Sequence, residues 1–141
     1  MLAAKPTVPP PSMAWAWMLT KMPRIVVVED DASMRRAIER NLRVGGYSAV
    51  MLDSAEAALA GEELTLADCL VLDVHLPGLS GFELHERLAL SGQVTPTIFI
   101  TGHDEPASRD RAKQLGARKY LAKPFSGRAL LDAVAQALET A

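Results

Sequence analysis

Five short apolar runs punctuate the chain from residue 24 onward: IVVV at 25–28, AVM at 49–51, CLVL at 69–72, TIFI at 97–100 and YLA at 120–122. Three of them are apolar without alternation, as expected of parallel strands covered on both faces. Helical spacing fills the intervals. After Ser33, Met34, Ile38 and Leu42 recur every four residues, Arg36, Arg40 and Arg43 occupy another face, and Gly45-Gly46 ends the helix. That arginine stripe reads first as a solvated face and second as a docking surface. A short alanine-rich helix near 55–60 has Asp53 or Ser54 as its cap, and for Asp53 capping is the leading reading.

Ser80 with Glu83 three residues on forms a capping-box signal for a helix running to about Leu90. Asp104, Glu105 and Pro106 open a fourth helix, closed by Gly116, whose apolar stripe is thin: Ala107, Ala112 and Leu115. Ser126 precedes a fifth, with Leu130, Val134 and Leu138 on its core face and Leu131 reinforcing them. Five alternations of strand and helix, without an internal repeat, predict a doubly wound α/β sandwich with right-handed crossovers.

The first 22 residues break this regularity. They hold four of the nine prolines and both tryptophans, and their apolar piece, Met13 to Leu19, is too short to span a bilayer. Their order does not match a signal peptide either. Residues 1–22 are therefore expected to be a disordered or upstream-read extension, with Met22 as a candidate start and residues 23–141 as the domain. The rival reading is a Trp-rich segment that folds onto the domain or binds a partner. The default compartment is cytoplasmic, with no membrane contact.

A chain of 141 residues fits one domain that needs no disulfide or structural metal. A net charge of −2 with no strongly basic run does not call for nucleic-acid binding. The lone Cys69 excludes an internal disulfide and reads as a small buried hydrophobe.

Open parallel sheets carry their sites beyond the carboxyl ends of the strands. Those ends are Glu29, Asp30 and Asp31 after the first strand, Asp53 after the second and Asp73 after the third. Thr101 and Gly102 follow the fourth strand, and Lys123-Pro124 the fifth. Carboxylates gathered at one edge repel one another unless a cation joins them or some are protonated. Oxygen-only ligands suit Mg²⁺, and a lysine and a threonine hydroxyl facing the same point complement an anion. Singly, each residue has a plain role: Asp30 or Asp31 a cap, Asp73 a loop residue, Thr101 a strand-end cap, Lys123 a solvated end. Together they describe phosphoryl transfer, with an aspartate as candidate nucleophile.

Here the sequence resembles the receiver domains of two-component response regulators. The resemblance covers residues 24–141 and rests on VVVEDDASMRR at 26–36, LVLDVHLPGLSG at 70–81, FITG at 99–102 and GARKYLAKPF at 116–125. It implies a single flavodoxin-like, five-stranded parallel sheet with five helices in the strand order 2-1-3-4-5. It implies phosphorylation of Asp73, a catalytic set of Asp73, Lys123 and Thr101, and a switch made by Thr101 and Tyr120. Metal ligands would be Glu29, Asp30, Asp73 and the backbone carbonyl of His75, with Mg²⁺ as the ion and Mn²⁺ as an alternative. Pro124 would follow a cis peptide bond.

Glu29 stands where the family often has Asp, and its extra methylene suggests an outer, water-mediated role that leaves Asp30 as the direct ligand. The implied phosphodonor is a sensor histidine kinase, a histidine phosphotransfer protein or a small phosphodonor. The readout would pass through the face made by the fourth helix, fifth strand and fifth helix, to a downstream protein target or an output domain. The resemblance implies self-promoted, Mg²⁺-dependent phosphorylation and dephosphorylation rather than metabolic catalysis. It also implies a monomer or a weak phosphorylation-dependent dimer, without direct nucleic-acid binding. A single-domain regulator and a piece of a longer regulator or hybrid kinase both fit. The alternative function is a degenerate, non-phosphorylated receiver that serves as a protein-binding module.

Overall fold

A computed structural model describes residues 22–139. The expectations for residues 1–21, including the fate of the Trp-rich segment, lie outside the described residues. The elements in chain order are β1 (Arg24–Val28), α1 (Ala32–Val44), β2 (Ser48–Leu52) and α2 (Ala55–Ala60). After a 3₁₀ turn at Glu63–Leu66 come β3 (Cys69–Asp73), α3 (Gly81–Leu90) and β4 (Thr97–Thr101). The chain then runs through α4 (Pro106–Gln114), β5 (Lys119–Ala122) and α5 (Gly127–Glu139).

The strands form one parallel sheet in the order β2-β1-β3-β4-β5. This is the five-stranded, five-helix, flavodoxin-like arrangement expected. Side chains alternate across a strand, so each face of the sheet collects its own set. Val26, Val28, Leu70, Leu72 and Phe99 form one core layer with Ala55, Ala58, Leu84, Leu88 and Ala112. Ile25, Val27, Cys69, Val71, Ile98 and Ile100 form the other, with Ile38 and Leu42 of α1 and Leu130 and Val134 of α5. Burial on both faces is why the central strands carry apolar residues without alternation.

Several local readings change. α1 starts at Ala32, so Ser33 lies inside it rather than ahead of it, and Asp31, one of the two aspartates read as its cap, takes that role with its carboxylate accepting from the Met34 N–H at 2.8 Å. α2 is capped by Ser54, whose hydroxyl accepts from the Ala57 N–H at 3.0 Å. Asp53 lies one position too early to reach that amide and remains exposed. The capping box of α3 is present in both directions, with Ser80 accepting from the Glu83 N–H and Glu83 from the Ser80 N–H. On α5 the buried positions are Leu130, Ala133, Val134 and Ala137, while Leu138 is only partly buried. The 3₁₀ turn was not read from sequence; it is anchored by one buried side chain, Leu64.

Candidate functional site

Register builds the site. Val28 pairs with Leu72 of β3, Asp73 with Ile100 of β4, and Thr101 with Ala122 of β5. The next residues along, Glu29 and Lys123, therefore emerge beside Asp73 at the carboxyl edge of the sheet. Lys123 Nζ lies 2.6 Å from Glu29 Oε1 and 3.0 Å from Asp73 Oδ2. The contact with Asp73 is an aligned hydrogen bond. That with Glu29 Oε1 is an ion contact outside hydrogen-bonding alignment, which leaves this oxygen buried without an aligned donor. The Lys123–Pro124 peptide is cis.

Glu29 and Asp73 are both buried, whereas Asp30 is exposed. Burial pushes the Glu29 carboxyl above the usual carboxylate range, with Asp73 adding to the rise and Lys123 opposing it. Burial also works against the Lys123 ammonium, but its contacts with Glu29 and Asp73 outweigh this and hold it above its ordinary range. Lys123 is therefore fixed as a cation between two carboxylates.

Carboxylate oxygens of Glu29, Asp30 and Asp73 lie within 4.8 Å of one another. Three carboxylates thus face one ammonium, and Glu29 Oε1 is left without an aligned donor. Both observations fit a hard divalent cation with oxygen ligands. Asp53 is not part of this cluster. Asp31 contributes its backbone, its N–H donating to Glu29 Oε2 at 3.1 Å while its side chain caps α1.

Asp73 is held from both sides: Oδ2 accepts from Lys123, and Oδ1 accepts from the His75 N–H at 3.0 Å. Thr101, fully buried at the end of β4, accepts from the His103 N–H at 3.0 Å and lies 3.2 Å from His75 Nδ1. On β5, Tyr120 pairs with Phe99 of β4 and is half-buried, with the Arg109 guanidinium 4.8 Å from its ring centroid. Burial, then the nearby Asp104 carboxylate, pushes the Tyr120 phenol up. A groove of about 660 Å³ runs along this edge, lined by Pro106, Arg109, Ala112, Lys113, Lys119 and Tyr120 among others.

Three supporting residues escaped the sequence reading. One Arg35 nitrogen donates to the backbone carbonyls of Glu29 and Asp30, both at 2.9 Å, and so pins the acidic loop from α1. Glu56 of α2 accepts from the Leu79 N–H at 2.8 Å and holds the loop that follows Asp73. That loop turns at Gly78, where φ is +76°. Gly81 lets α3 start against the site: a Cβ there would stand 2.2 Å from the carbonyl oxygen of Asp73. Each role depends on a partner's backbone; the available sequence signals were an arginine near the acidic loop and a Pro-Gly turn ahead of a capped helix.

Among the described residues, no helix is long and apolar enough to cross a membrane. A family model described as the response regulator receiver domain matches residues 25–135. The chain is 44% identical over 115 residues to Nodulation protein W of Bradyrhizobium diazoefficiens, covering 82% of this chain and 51% of that protein. It spans about half the length of that relative and about a quarter of others that it matches. A CheY-like receiver domain from Methanospirillum hungatei superposes with a TM-score of 0.78 at 26% identity, covering 85% of this chain and 96% of that one. The BeF3-activated DrrB receiver domain of Thermotoga maritima superposes with a TM-score of 0.76 at 30% identity, covering 84% and 98%.

Proposed function

Because this chain belongs to the response regulator receiver domain family, we propose that Asp73 is the residue on which it accepts a phosphoryl group. The domain functions as a phosphoacceptor in two-component signalling. Receiver domains promote their own Mg²⁺-dependent aspartyl phosphorylation and dephosphorylation rather than metabolic turnover. In general they work with histidine kinases or phosphotransfer proteins and pass the signal to downstream effectors. The observation that carries the assignment is the Lys123 ammonium held between buried Glu29 and buried Asp73 at the edge of the central strands.

The chemistry is a displacement at phosphorus. A carboxylate oxygen of Asp73 forms the new P–O bond, the P–N bond of a donor phosphohistidine breaks, and its electron pair returns to the departing imidazole. Asp73 is aligned for this by the His75 N–H and by Lys123. Lys123 also offsets charge on the phosphoryl oxygens, while Glu29, in contact with the same ammonium, holds it in place beside Asp73. Glu29, Asp30 and Asp73, with the His75 carbonyl, would hold Mg²⁺ or Mn²⁺. When bound, that ion supplies positive charge against the carboxylates and the transferring group.

Thr101 and Tyr120 form the readout. The Thr101 hydroxyl engages the new phosphoryl group, and Tyr120 responds along the groove between α4 and β5. The α4-β5-α5 face would then be read by a protein target or an output domain. Intact-mass spectrometry after incubation with acetyl phosphate and Mg²⁺ tests the assignment. One phosphoryl group is expected on the native chain and none on Asp73→Asn. The same gain in Asp73→Asn would overturn it, and no gain on the native chain would favour a binding module.

A further inference from the structure

Thr101 is not idle in the unphosphorylated domain. Its hydroxyl has one hydrogen to give and two lone pairs to offer. The His103 N–H occupies one lone pair at 3.0 Å, and His75 Nδ1 stands 3.2 Å away on another side. With Nδ1 unprotonated, the hydroxyl donates to it; with Nδ1 protonated, Nδ1–H donates to the second lone pair. Either tautomer ties the hydroxyl to the imidazole.

The His75 side chain is exposed, and two contacts besides that with Thr101 set its place. The backbone N–H of His75 donates to Asp73 Oδ1 at 3.0 Å, which fixes where the side chain leaves the loop. Its ring meets the His103 ring edge-on, with centroids 4.8 Å apart and an interplanar angle of 65°. His75 thus joins the nucleophile's loop to the loop after β4, and Thr101 is the point of attachment.

We propose that His75 is a positioning residue that restrains the Thr101 hydroxyl in the unphosphorylated domain, so that Thr101 reaches a phosphoryl group only by giving up this contact. The proposal rests on the reading that Asp73 is the acceptor and Thr101 the responding hydroxyl. The two contacts compete, so removing the imidazole favours the phosphoryl-bound arrangement. The gain is about two- to tenfold in affinity, the worth of one neutral hydrogen bond. Because the backbone of His75 remains in His75→Ala, the hydrogen bond to Asp73 Oδ1 and the carbonyl are retained.

The test is a double-mutant cycle on the equilibrium affinity for beryllofluoride with Mg²⁺, followed by amide NMR in the full chain. His75→Ala should tighten binding about two- to tenfold when Thr101 is present and leave it unchanged in a Thr101→Val background. His75→Asn, which places an amide group where Nδ1 stood, should restore the native affinity. An equal change in both backgrounds, or weaker binding by His75→Ala, would overturn the restraint, since loss of ring bulk alone acts whether or not the hydroxyl is there. A second arm needs no phosphoryl analogue: in imidazole ¹⁵N spectra of the unliganded protein, Thr101→Val should move the His75 Nδ1 resonance. No movement overturns the contact whatever the phosphorylation chemistry. A native chain that shows this movement but does not bind beryllofluoride sinks the phosphoacceptor reading, and with it the restraint as a control on phosphorylation.

Discussion

Glu29 and Asp30 are adjacent in sequence and opposite in environment. Glu29 is buried, with Oε1 against Lys123 and Oε2 accepting from the Asp31 N–H. Asp30 is exposed, and Arg35 fixes its backbone carbonyl rather than its carboxylate. The longer side chain is therefore committed to the protein's own cation, and the shorter one stands solvent-exposed at the rim of the same carboxylate cluster. This supports Asp30 as the more direct metal ligand. A unit charge about 4 Å away contributes roughly 1–4 kcal/mol between watery and partly buried surroundings. Asp30→Asn should then weaken Mg²⁺ binding by at least about fivefold, and Glu29→Gln by less. Calorimetric titration with magnesium checks the order, and the reverse order would show Glu29 to be the direct ligand. Asp73, Lys123 and Thr101 were legible because each ends a recognisable strand. Arg35 and Glu56 were not, because they act on backbone atoms that no side-chain pattern reveals.

α4 is the least anchored of the longer helices. Ala112 is its one buried residue, against four on α5. What else holds it is polar and solvent-facing: Arg109 pairs with Asp104 through two 2.8 Å contacts, and Arg111 reaches Glu86 of α3 at 2.8 Å. Exposed pairs of this kind contribute little to stability and are screened by salt. The Arg109 guanidinium over Tyr120 adds a further exposed, solvent-weakened contact. Amides of α4 should therefore exchange with deuterium faster than those of α1 and α5, and added salt should widen the gap. Equal protection of α4 and α5 would overturn this account and remove the reason for placing the readout there. The thin apolar stripe was visible in sequence. That its few contacts include Tyr120 emerged only once β5 lay beside it.

The two core layers meet at the sheet, and Cys69 opens its central strand on the α1–α5 side. Full burial pushes its thiol from 9.0 to about 12, and Tyr47, also raised by burial, lies near enough to couple with it. A thiol whose folded pKa is raised keeps its proton in the folded state after the unfolded chain has lost it. Stability is thus complete below about pH 9 and falls as the pH rises toward about 12. Urea unfolding as a function of pH should show this decline. Cys69→Ala should start from a lower plateau, because it leaves a cavity, and fall less steeply. A slope unchanged by the substitution would assign the alkaline loss to other groups. The same burial shields the thiol, so modification in the native state should be slow and unfolding should release it.

Strand and helix alternation, the apolar layers and the capping box of Ser80 and Glu83 were readable along the chain. They follow from periodicity and from contacts within a few residues, which sequence order preserves. The strand-end carboxylates, threonine and lysine could be enumerated for the same reason. Their mutual geometry could not. Lys123 meets Asp73 across 50 positions, and His75 meets Thr101 across 26. Such pairs exist only after parallel register has brought the strand ends level. The choice of Ser54 over Asp53 as a cap, and of Asp31 over Asp30, turned on where the helix backbone presented its first free amides. Periodicity records which face a residue occupies; which atom it finds there is decided when separate elements compete for the same few ångströms of buried space.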